Sequence, residues 1–516
     1  MSTTATKKSA FTTLGLKATV EQLQDEIREL YLADDVPWII GYSGGKDSTA
    51  ILQLTWLALA DLPAAKCHKT VHVISTDTMV ENPIVASWVT HSLDVMRQSA
   101  LAQKLPVEPH RLTPKTEDSF WVNLIGKGYP APRPKFRWCT ARLKISPSTD
   151  FITSIVKQSG EAILLLGSRK AESQARAKVM QRHEKHRVRD RLSPNFSLPS
   201  TLVYTPIETW TNDDVWMFLM QVKNPWGYNN KDLLNMYQGA SPDGECPLVV
   251  DSSTPSCGDS RFGCWVCTLV DKDKSMTAMI QNDQEKEWMT PLLKLRNDLD
   301  FRPDEEHPDR TDDRPLRDFR RMSGELTLFN NRLVHGPYLP EVREEWLRKL
   351  LSAQTWIRKN GPEQVRKIEL INIKELQEIR RIWVIEKHEM EDSLPRIYAE
   401  ATGEPYPGQR LDDNLVLGEE DMQVLREVCA GDRYHYELTR QLLSVERQLR
   451  AHSRRQGLFE QLEKSISRHY YSGEEDATEM ARRYSQARDA AGEGKRKTAY
   501  TDSPDETEDI RTDLLP

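Results

Sequence analysis

The 516-residue chain has little of what marks a membrane or secreted protein. No apolar run approaches the roughly 20 residues that a membrane-spanning helix needs. Met1 to Ala10 lack the apolar core of a signal peptide. Cysteine is scarce: there are seven, four of them within one short stretch, which is not the pattern of a disulfide framework. Charged residues make up 29% and the mean hydropathy is -0.63. These features predict a soluble protein of the reducing cytoplasm with no membrane partner. An overall excess of positive charge is also missing, since the net charge is -7. The charge is uneven, however. Lys127, Arg133, Lys135, Arg137, Arg142 and Lys144 fall in one window without an acid, and Arg169 to Arg191 hold nine basic residues against three acids. Together the windows carry +12, which is the local concentration a polyanion site needs.

What is present is most informative at Ser43-Gly44-Gly45-Lys46-Asp47-Ser48-Thr49. A strand-like run, Val36 to Tyr42, precedes it, and Ile51, Leu54, Leu57 and Ala58 follow at helical spacing. A strand, a Gly-rich turn and a helix together bind phosphate, because backbone N–H groups and the helix dipole converge on an anion. Lys46 and the hydroxyls of Ser43, Ser48 and Thr49 can add ligands. The loop is not of the Walker A type, which needs four residues between its glycines.

Short apolar strands are expected at Trp38–Tyr42, Thr70–Ser75 and Ala162–Gly167, with room between them for crossover helices. This predicts an α/β fold with a parallel sheet and helices on both faces. Ligands of such sheets bind at the carboxyl ends of the strands, so the loop, Asp77 and Gly167-Ser168-Arg169 should converge on one nucleotide site. The expected organisation is an N-terminal helical segment (1–35), the nucleotide domain (36–230), a cysteine-rich region (231–300), an irregular Asp/Arg/Pro-rich segment (301–345), a helical appendage (346–470) and a disordered tail (471–516).

Cys246, Cys257, Cys264 and Cys267 lie within 22 residues. Four thiolates this close can enclose a zinc ion or an iron–sulfur cluster, and Cys264 and Cys267 have the spacing that lets two sulfurs face one metal. Cys139 stands apart, flanked by Arg137, Arg142 and Lys144, a setting that lowers a thiol pKa and favours a nucleophilic thiolate. Cys67 and Cys429 read as packing residues. The histidines show no metal-binding spacing in sequence.

The region Trp38 to Trp216 resembles the phosphoadenosine-phosphosulfate reductase branch of the PP-loop superfamily, the ATP pyrophosphatases. The matching residues are Ser43 to Ser48, Asp77-Thr78 and Trp138-Cys139-Thr140 with Lys144. They continue with Gly167-x-Arg169-x2-Glu172-Ser173-x2-Arg176 and Pro206-Ile207-x2-Trp210-Thr211-x2-Asp214-Val215-Trp216. In that branch the Arg and Glu-Ser elements line the nucleotide and its anionic partner. The chain departs from a true sulfonucleotide reductase in its length, in having no cysteine after Cys429, and in having Cys139 followed by Thr140 where cluster-bearing members have a cysteine pair. The four-cysteine insert, Val334-His335-Gly336-Pro337-Tyr338 and the long helical C-terminus resemble the DndC family, the sulfurtransferases of bacterial DNA phosphorothioation.

That resemblance implies ATP and Mg²⁺ on the loop and a 4Fe–4S cluster. It implies DNA as the substrate, with sulfur replacing a non-bridging phosphate oxygen as a mark for host defence. It also implies a cysteine desulfurase as sulfur donor, and the other proteins of the system, an ATPase and DNA-binding subunits, as partners. The expected catalytic residues are Cys139, Lys46 and Asp47. The expected nucleotide ligands are Ser43 to Thr49, Asp77, Gly167, Arg169, Glu172 and Arg176. The expected metal ligands are Cys246, Cys257, Cys264 and Cys267. Cys139 is either the sulfur carrier or a further cluster ligand. Two rivals remain: a reductase or RNA thiolase using the same adenylation, and a zinc-bearing DNA-binding subunit.

Overall fold

The computed structural model describes residues 9–134, 136–189, 191–240, 262–302, 312–409, 411, 416–450, 457–469 and 471–490. The chain divides into two compact units, the first comprising 1–114, 135–293 and 508–516, the second 115–134 and 294–507. Residues 115–134, expected inside the nucleotide domain, thus belong to the helical unit.

The first unit is built on strands β1 (Trp38–Gly41), β2 (Val71–Thr76), β3 (Val107–Leu112), β4 (Ala162–Leu165), β5 (Ser193–Pro194) and β6 (Thr201–Tyr204), in the order β3-β2-β1-β4-β6-β5. All pairings are parallel except β5 with β6. Trp38 is in register with Val71 on one side and Ile163 on the other. The three expected strands are present, and the parallel sheet with helices agrees with the predicted fold class. Strands β3, β5 and β6 were not foreseen.

The helices of this unit are α1 (Gly15–Leu32), α2 (Lys46–Ala60), α3 (Pro83–Gln103), α4 (Ser146–Ser159), α5 (Gln174–Glu184), α6 (Asn212–Gln221), α7 (Asn230–Gly239) and α8 (Lys274–Asn282). Trp38 and Ile40 of β1 point into the larger core with α2, while Ile39 points to the other face with Ile152 and Ile155 of α4. This is the alternation of a sheet covered on both sides. Eleven of the fifteen residues of α2 are buried, so the helix is central and its N-terminus is fixed. Chain order reverses between β1 and β4, because β2 and β3 lie to one side and β6 to the other. A crevice forms at such a switch point, outside the carboxyl ends of the two strands.

The motif Trp210-Thr211-x2-Asp214 serves the scaffold. Thr211 and Asp214 form a capping box on α6. The Asp214 carboxylate also receives the Ala10 N–H at 3.0 Å and the Ser9 hydroxyl, tying the N-terminal segment to the start of α6.

The second unit is helical, from α9 (Thr290–Leu299), at whose middle the units divide, to α10 (Pro340–Asn360), α11 (Ile373–Arg381), α12 (Leu394–Thr402), α13 (Glu419–Val428), α14 (Arg433–Arg450), α15 (Leu458–Arg468) and α16 (Glu474–Ala490). Trp121 and Trp383 each donate an indole N–H to a buried carbonyl, of Leu370 and Ile125 respectively. The segment 312–339 is mostly irregular, with one hairpin pairing Leu328–Phe329 to Arg332–Leu333. Of the tail expected to be disordered (471–516), the described part carries α16, whose Ala477 and Ala481 pack with Phe319 and Leu333, while 491–516 lie outside the described residues. No helix among the described residues is long and apolar enough to cross a membrane.

Candidate functional site

The crevice at the switch point holds a cavity of about 610 Å³. Its wall includes Ser43, Gly44, Gly45, Lys46 and Asp47 after β1, Asp77 and Glu81 after β2, Arg111 at the end of β3, and Arg169, Glu172, Ser173 and Arg176 after β4. Lys46 at the start of α2, Ser173 at the N-cap of α5 and Asn212 at the start of α6 all border it. That arrangement suits a polyanion such as a nucleotide's phosphates.

The loop geometry depends on glycine at two points. Gly44 has φ +75°, and a Cβ there would stand 2.5 Å from Val89 Cγ2. Gly167 has no room either, since its Cβ would meet the Asp47 backbone at 2.9 Å. The close fit of Gly167 brings the end of β4 against the start of α2. Ser48 and Thr49 are turned inward: both hydroxyls donate to the Gly45 carbonyl, at 3.0 and 2.8 Å. Of the expected nucleotide ligands, Ser48, Thr49 and Gly167 do not line the cavity; the others do.

Three charged residues are already engaged. Arg169, 4% exposed, donates Nε to Asp47 Oδ1 at 2.7 Å and Nη1 to the Trp210 carbonyl at 3.3 Å. Lys46 Nζ lies 3.2 Å from Asp47 Oδ2. Asp47 therefore bridges the loop lysine and a buried arginine from β4. Glu172 accepts the Arg169 N–H at 2.7 Å, and Ser173 caps α5 through the Arg176 N–H at 3.0 Å. The Arg/Glu-Ser motif is thus a turn and a helix cap that presents Arg176 to the cavity. On the other side, Asp77 pairs with Arg111 and accepts the Met79 N–H at 2.8 Å.

Tyr237 of α7, for which the sequence carries no local signal, lies over the loop. Its hydroxyl is 3.5 Å from the Lys46 N–H, its ring is 5.5 Å from Lys46 Nζ, and burial raises its pKa. Phe262 packs edge-on against it at 4.8 Å, so the start of the described cysteine segment abuts the loop.

Cys264 and Glu81 form an antiparallel bridge, and the Cys267 N–H closes the turn on the Cys264 carbonyl at 3.0 Å. Thr78 Oγ1 is 3.3 Å from Cys264 Sγ and donates to Glu81 at 3.0 Å. Glu81 in turn lies 3.7 Å from Lys144 Nζ. Cys139, Cys264 and Cys267 interact electrostatically with one another and with Lys144, whose pKa is raised chiefly by Cys264 and Glu81. The expectation of a lowered Cys139 pKa is corrected: burial first, and then Cys267, push this thiol up to about 11. The cations of its sequence neighbourhood do not compensate. Of the predicted metal ligands, Cys264 and Cys267 come together with Cys139, while Cys246 and Cys257 lie outside the described residues. Three partly buried thiols beside one ammonium are donors of the kind a soft metal centre uses, and coordination would remove the cost of holding thiolates there. Thiol sulfur is a donor for zinc and for iron–sulfur clusters alike, but these three sulfurs do not all lie within 4.8 Å of one another, as ligands of a single ion would.

The basic window from Arg169 to Arg191 is close to neutral in space. Lys170 meets Glu184 and Glu208, Arg187 reaches Glu208 at 3.3 Å, Arg189 reaches Asp34 at 2.6 Å, and Arg191 reaches Glu29 at 2.9 Å. Arg169 and Arg176 point to the cavity, whereas the later residues bind α1 and its flank to the sheet. Histidines with no sequence spacing do meet: His72 Nδ1 and His110 Nε2 are 3.1 Å apart across β2 and β3, with Glu108 alongside at 3.6 and 3.9 Å.

Residues 37–269 match the family model of the phosphoadenosine phosphosulfate reductase domain, a span that includes the loop, Cys139 and the Cys264–Cys267 turn. An uncharacterized protein of Methanocaldococcus jannaschii is 26% identical over 200 residues, which are 39% of this chain. The chain spans 35% of the length of that relative. Among solved structures, the phosphoadenylyl-sulfate reductase from Candida auris in its phosphate complex aligns with a TM-score of 0.26 and 16% identity, over 43% of this chain and 93% of that one. The U34-tRNA thiolase NcsA from Methanococcus maripaludis, with its 4Fe–4S cluster, aligns with a TM-score of 0.26 and 13% identity, over 55% and 80%. Residues 37–269, less than half of the chain, are thus similar to a phosphoadenosine phosphosulfate reductase domain.

Proposed function

We propose that this protein is an ATP-dependent sulfurtransferase that replaces a non-bridging oxygen of a DNA backbone phosphate with sulfur. One observation supports this reading above the others. The cavity bordered by the glycine loop is also bordered by Glu81, which lies 3.8 Å from Cys264 Sγ, and by Lys144, which lies 3.7 Å from Glu81. A nucleotide site and a sulfur site thus share a wall.

In this reading the N–H groups of Gly44 and Gly45, with Lys46, hold the pyrophosphate that leaves ATP, and Mg²⁺ offsets its charge when bound. A non-bridging DNA oxygen attacks the α-phosphorus; the new P–O bond forms as the α–β bond breaks. Arg176 and Lys144 lower the repulsion between the two anions. Arg169 does not touch the phosphates; it positions Asp47, which steadies Lys46. Sulfur at the oxidation level of sulfide, supplied by a cysteine desulfurase with a thiol reductant, then forms the P–S bond. AMP leaves with the displaced oxygen. Cys139, Cys264 and Cys267 would hold a 4Fe–4S cluster, whose chemistry there is to bind sulfur beside the nucleotide. Partner subunits for DNA recognition belong to the same proposal.

The test is pyrophosphate release from ATP by anaerobically prepared protein, with duplex DNA, with tRNA, and with neither. Stimulation by DNA alone supports the reading. Stimulation by tRNA alone would make the protein an RNA thiolase. No release under any condition would leave a nucleotide-sensing binding module.

A further inference from the structure

A second pocket lies wholly within the helical unit, with a volume of about 300 Å³. Its wall is crowded with cations that the nucleotide site does not use. Some are neutralised: Arg320 is held by Asp318 at 2.7 Å and Glu437 at 2.9 Å, and Arg343 is paired with Glu389. Others are not. The Lys387 ammonium has no hydrogen bond or ion pair among the described residues, and Arg468 has no carboxylate partner among them, its Nη2 donating to the Ser323 carbonyl at 2.9 Å. The Nε atoms of Arg440 and Arg468 are both buried without a hydrogen-bond acceptor, although Arg440 is only 7% exposed and reaches Glu391 through its Nη1 at 2.6 Å. Buried donors of this kind are costly unless something accepts from them.

The backbone here is also specialised. Helix α11 runs into a π-turn at Ile382–Glu386, and His388 then takes φ +58°. A π-turn followed by a non-glycine left-handed residue is an arrangement found at ligand sites. The Val334–Tyr338 motif, which the nucleotide chemistry does not absorb, clamps the opposite wall. The Gly336 N–H donates to the Asp318 carbonyl at 2.7 Å, and the Asp318 N–H to that of Pro337 at 2.8 Å. A side chain at Gly336 would overlap the Arg320 carbonyl. Burial, and after it the charge of Arg343, pushes Lys387 down to about 8; burial, and after it Arg440 and Arg468, pushes His388 down to about 4. Burial is the main cause in both, and around Lys387 the carboxylates of Glu389, Asp318 and Glu386 act in the opposite direction to Arg343.

We infer that this pocket binds a phosphate group, through Lys387, Arg440 and Arg468, and that in the working protein the phosphate is one of a DNA backbone. The phosphate chemistry stands on the pocket alone; its assignment to DNA rests on the function proposed above. Phosphate presents several acceptors at once, which suits converging guanidinium and ammonium donors, and a pocket of this size takes a phosphate with part of its ester.

The experiment uses the full chain without ATP, so its result is independent of any sulfur transfer. Binding of a fluorescent duplex is followed by anisotropy over a range of salt concentrations. Lys387→Gln and Arg468→Gln should each weaken binding roughly tenfold and lower the log–log salt slope by about 1. Lys387→Arg should restore it. In parallel, millimolar inorganic phosphate should raise the thermal midpoint of the wild type and not that of the double glutamine variant. This arm needs no DNA; because the glycine loop can also take phosphate, stabilisation is compared in Lys46→Ala as well, where the pocket's share should remain, and this comparison stands if a pocket variant fails to fold. Unchanged DNA affinity and slope with phosphate stabilisation intact would overturn the DNA assignment. No stabilisation of the wild type by phosphate would overturn the pocket itself.

Discussion

Arg169 donates its Nε to the Asp47 carboxylate at 2.7 Å, joining the end of β4 to the first turn of α2. The pair spans the switch point of the sheet and leaves Lys46 as the cation presented by the loop. Removing the arginine leaves the Asp47 carboxylate with the Lys46 ammonium at 3.2 Å as its remaining charged partner. Arg169→Ala should cost about 3 kcal/mol of stability, in the range for breaking one side of a largely buried pair. A double-mutant cycle with Asp47→Asn, read by urea unfolding, should give a coupling of about 1–3 kcal/mol. Simple additivity would mean that the two side chains act independently.

Gly44 and Gly15 both have φ +75°, yet a Cβ would meet neighbours within 4 Å only at Gly44. Gly15→Ala should therefore cost about 1–2 kcal/mol of backbone strain and leave nucleotide binding intact. Gly44→Ala should displace Val89 or the loop itself and weaken ATP binding by more than tenfold, as measured by calorimetry. Equal effects of the two substitutions would show that the loop tolerates the shift.

The cysteine group gives a prediction that separates its members from the rest. Cys139→Ser and Cys264→Ser should each abolish the iron content of anaerobically prepared protein, while Cys67→Ser, half-buried with its thiol near the Leu59 carbonyl, should leave it unchanged. Iron and acid-labile sulfide analysis reads both. If Cys139→Ser retains its iron yet loses sulfur transfer, Cys139 is a carrier and not a ligand.

Asp214 yields a pH dependence of defined sign. Burial raises its pKa, but hydrogen bonds from Ser9, Thr211 and Ala10 outweigh burial and hold it below the ordinary value of 3.8. A carboxylate with a depressed folded pKa contributes stability above its unfolded pKa and loses it as pH falls through the folded value. Asp214→Asn should cost about 1–2 kcal/mol at neutral pH, as for loss of a cap. The gap to the wild type should narrow as pH falls below about 4. A constant gap would show that the charge of Asp214 is not what holds the N-terminal segment.

The sheet was legible where its strands are short apolar runs: Trp38–Ile40, Val71–Ile74 and Ala162–Leu165 are nearly all buried. Strand β3 was not, because it forms the edge of the sheet and carries Glu108, Pro109, His110 and Arg111, residues an edge tolerates. The glycine loop was legible because its residues and its local setting agree. The partners that define its electrostatics, Arg169 for Asp47 and Tyr237 for Lys46, come from distant elements with no local signal. The basic window misled for the same reason: Asp34, Glu29 and Glu208, which neutralise it, are remote in sequence or on another element. Helix α16 was read as disorder because its apolar stripe is only Ala477 and Ala481, too small to stand out among so many charges.

Sulfur transfer to DNA is tested most directly by its product. Protein prepared without oxygen is incubated with ATP, Mg²⁺, duplex DNA, cysteine and a cysteine desulfurase, together with any DNA-binding partner subunits, and the DNA is then digested and examined by mass spectrometry. Dinucleotides with a phosphorothioate linkage should form only when ATP is present and be lost in Lys46→Ala. Unmodified DNA, under conditions where the same preparation releases pyrophosphate and thiolates tRNA, would rule DNA out as the substrate.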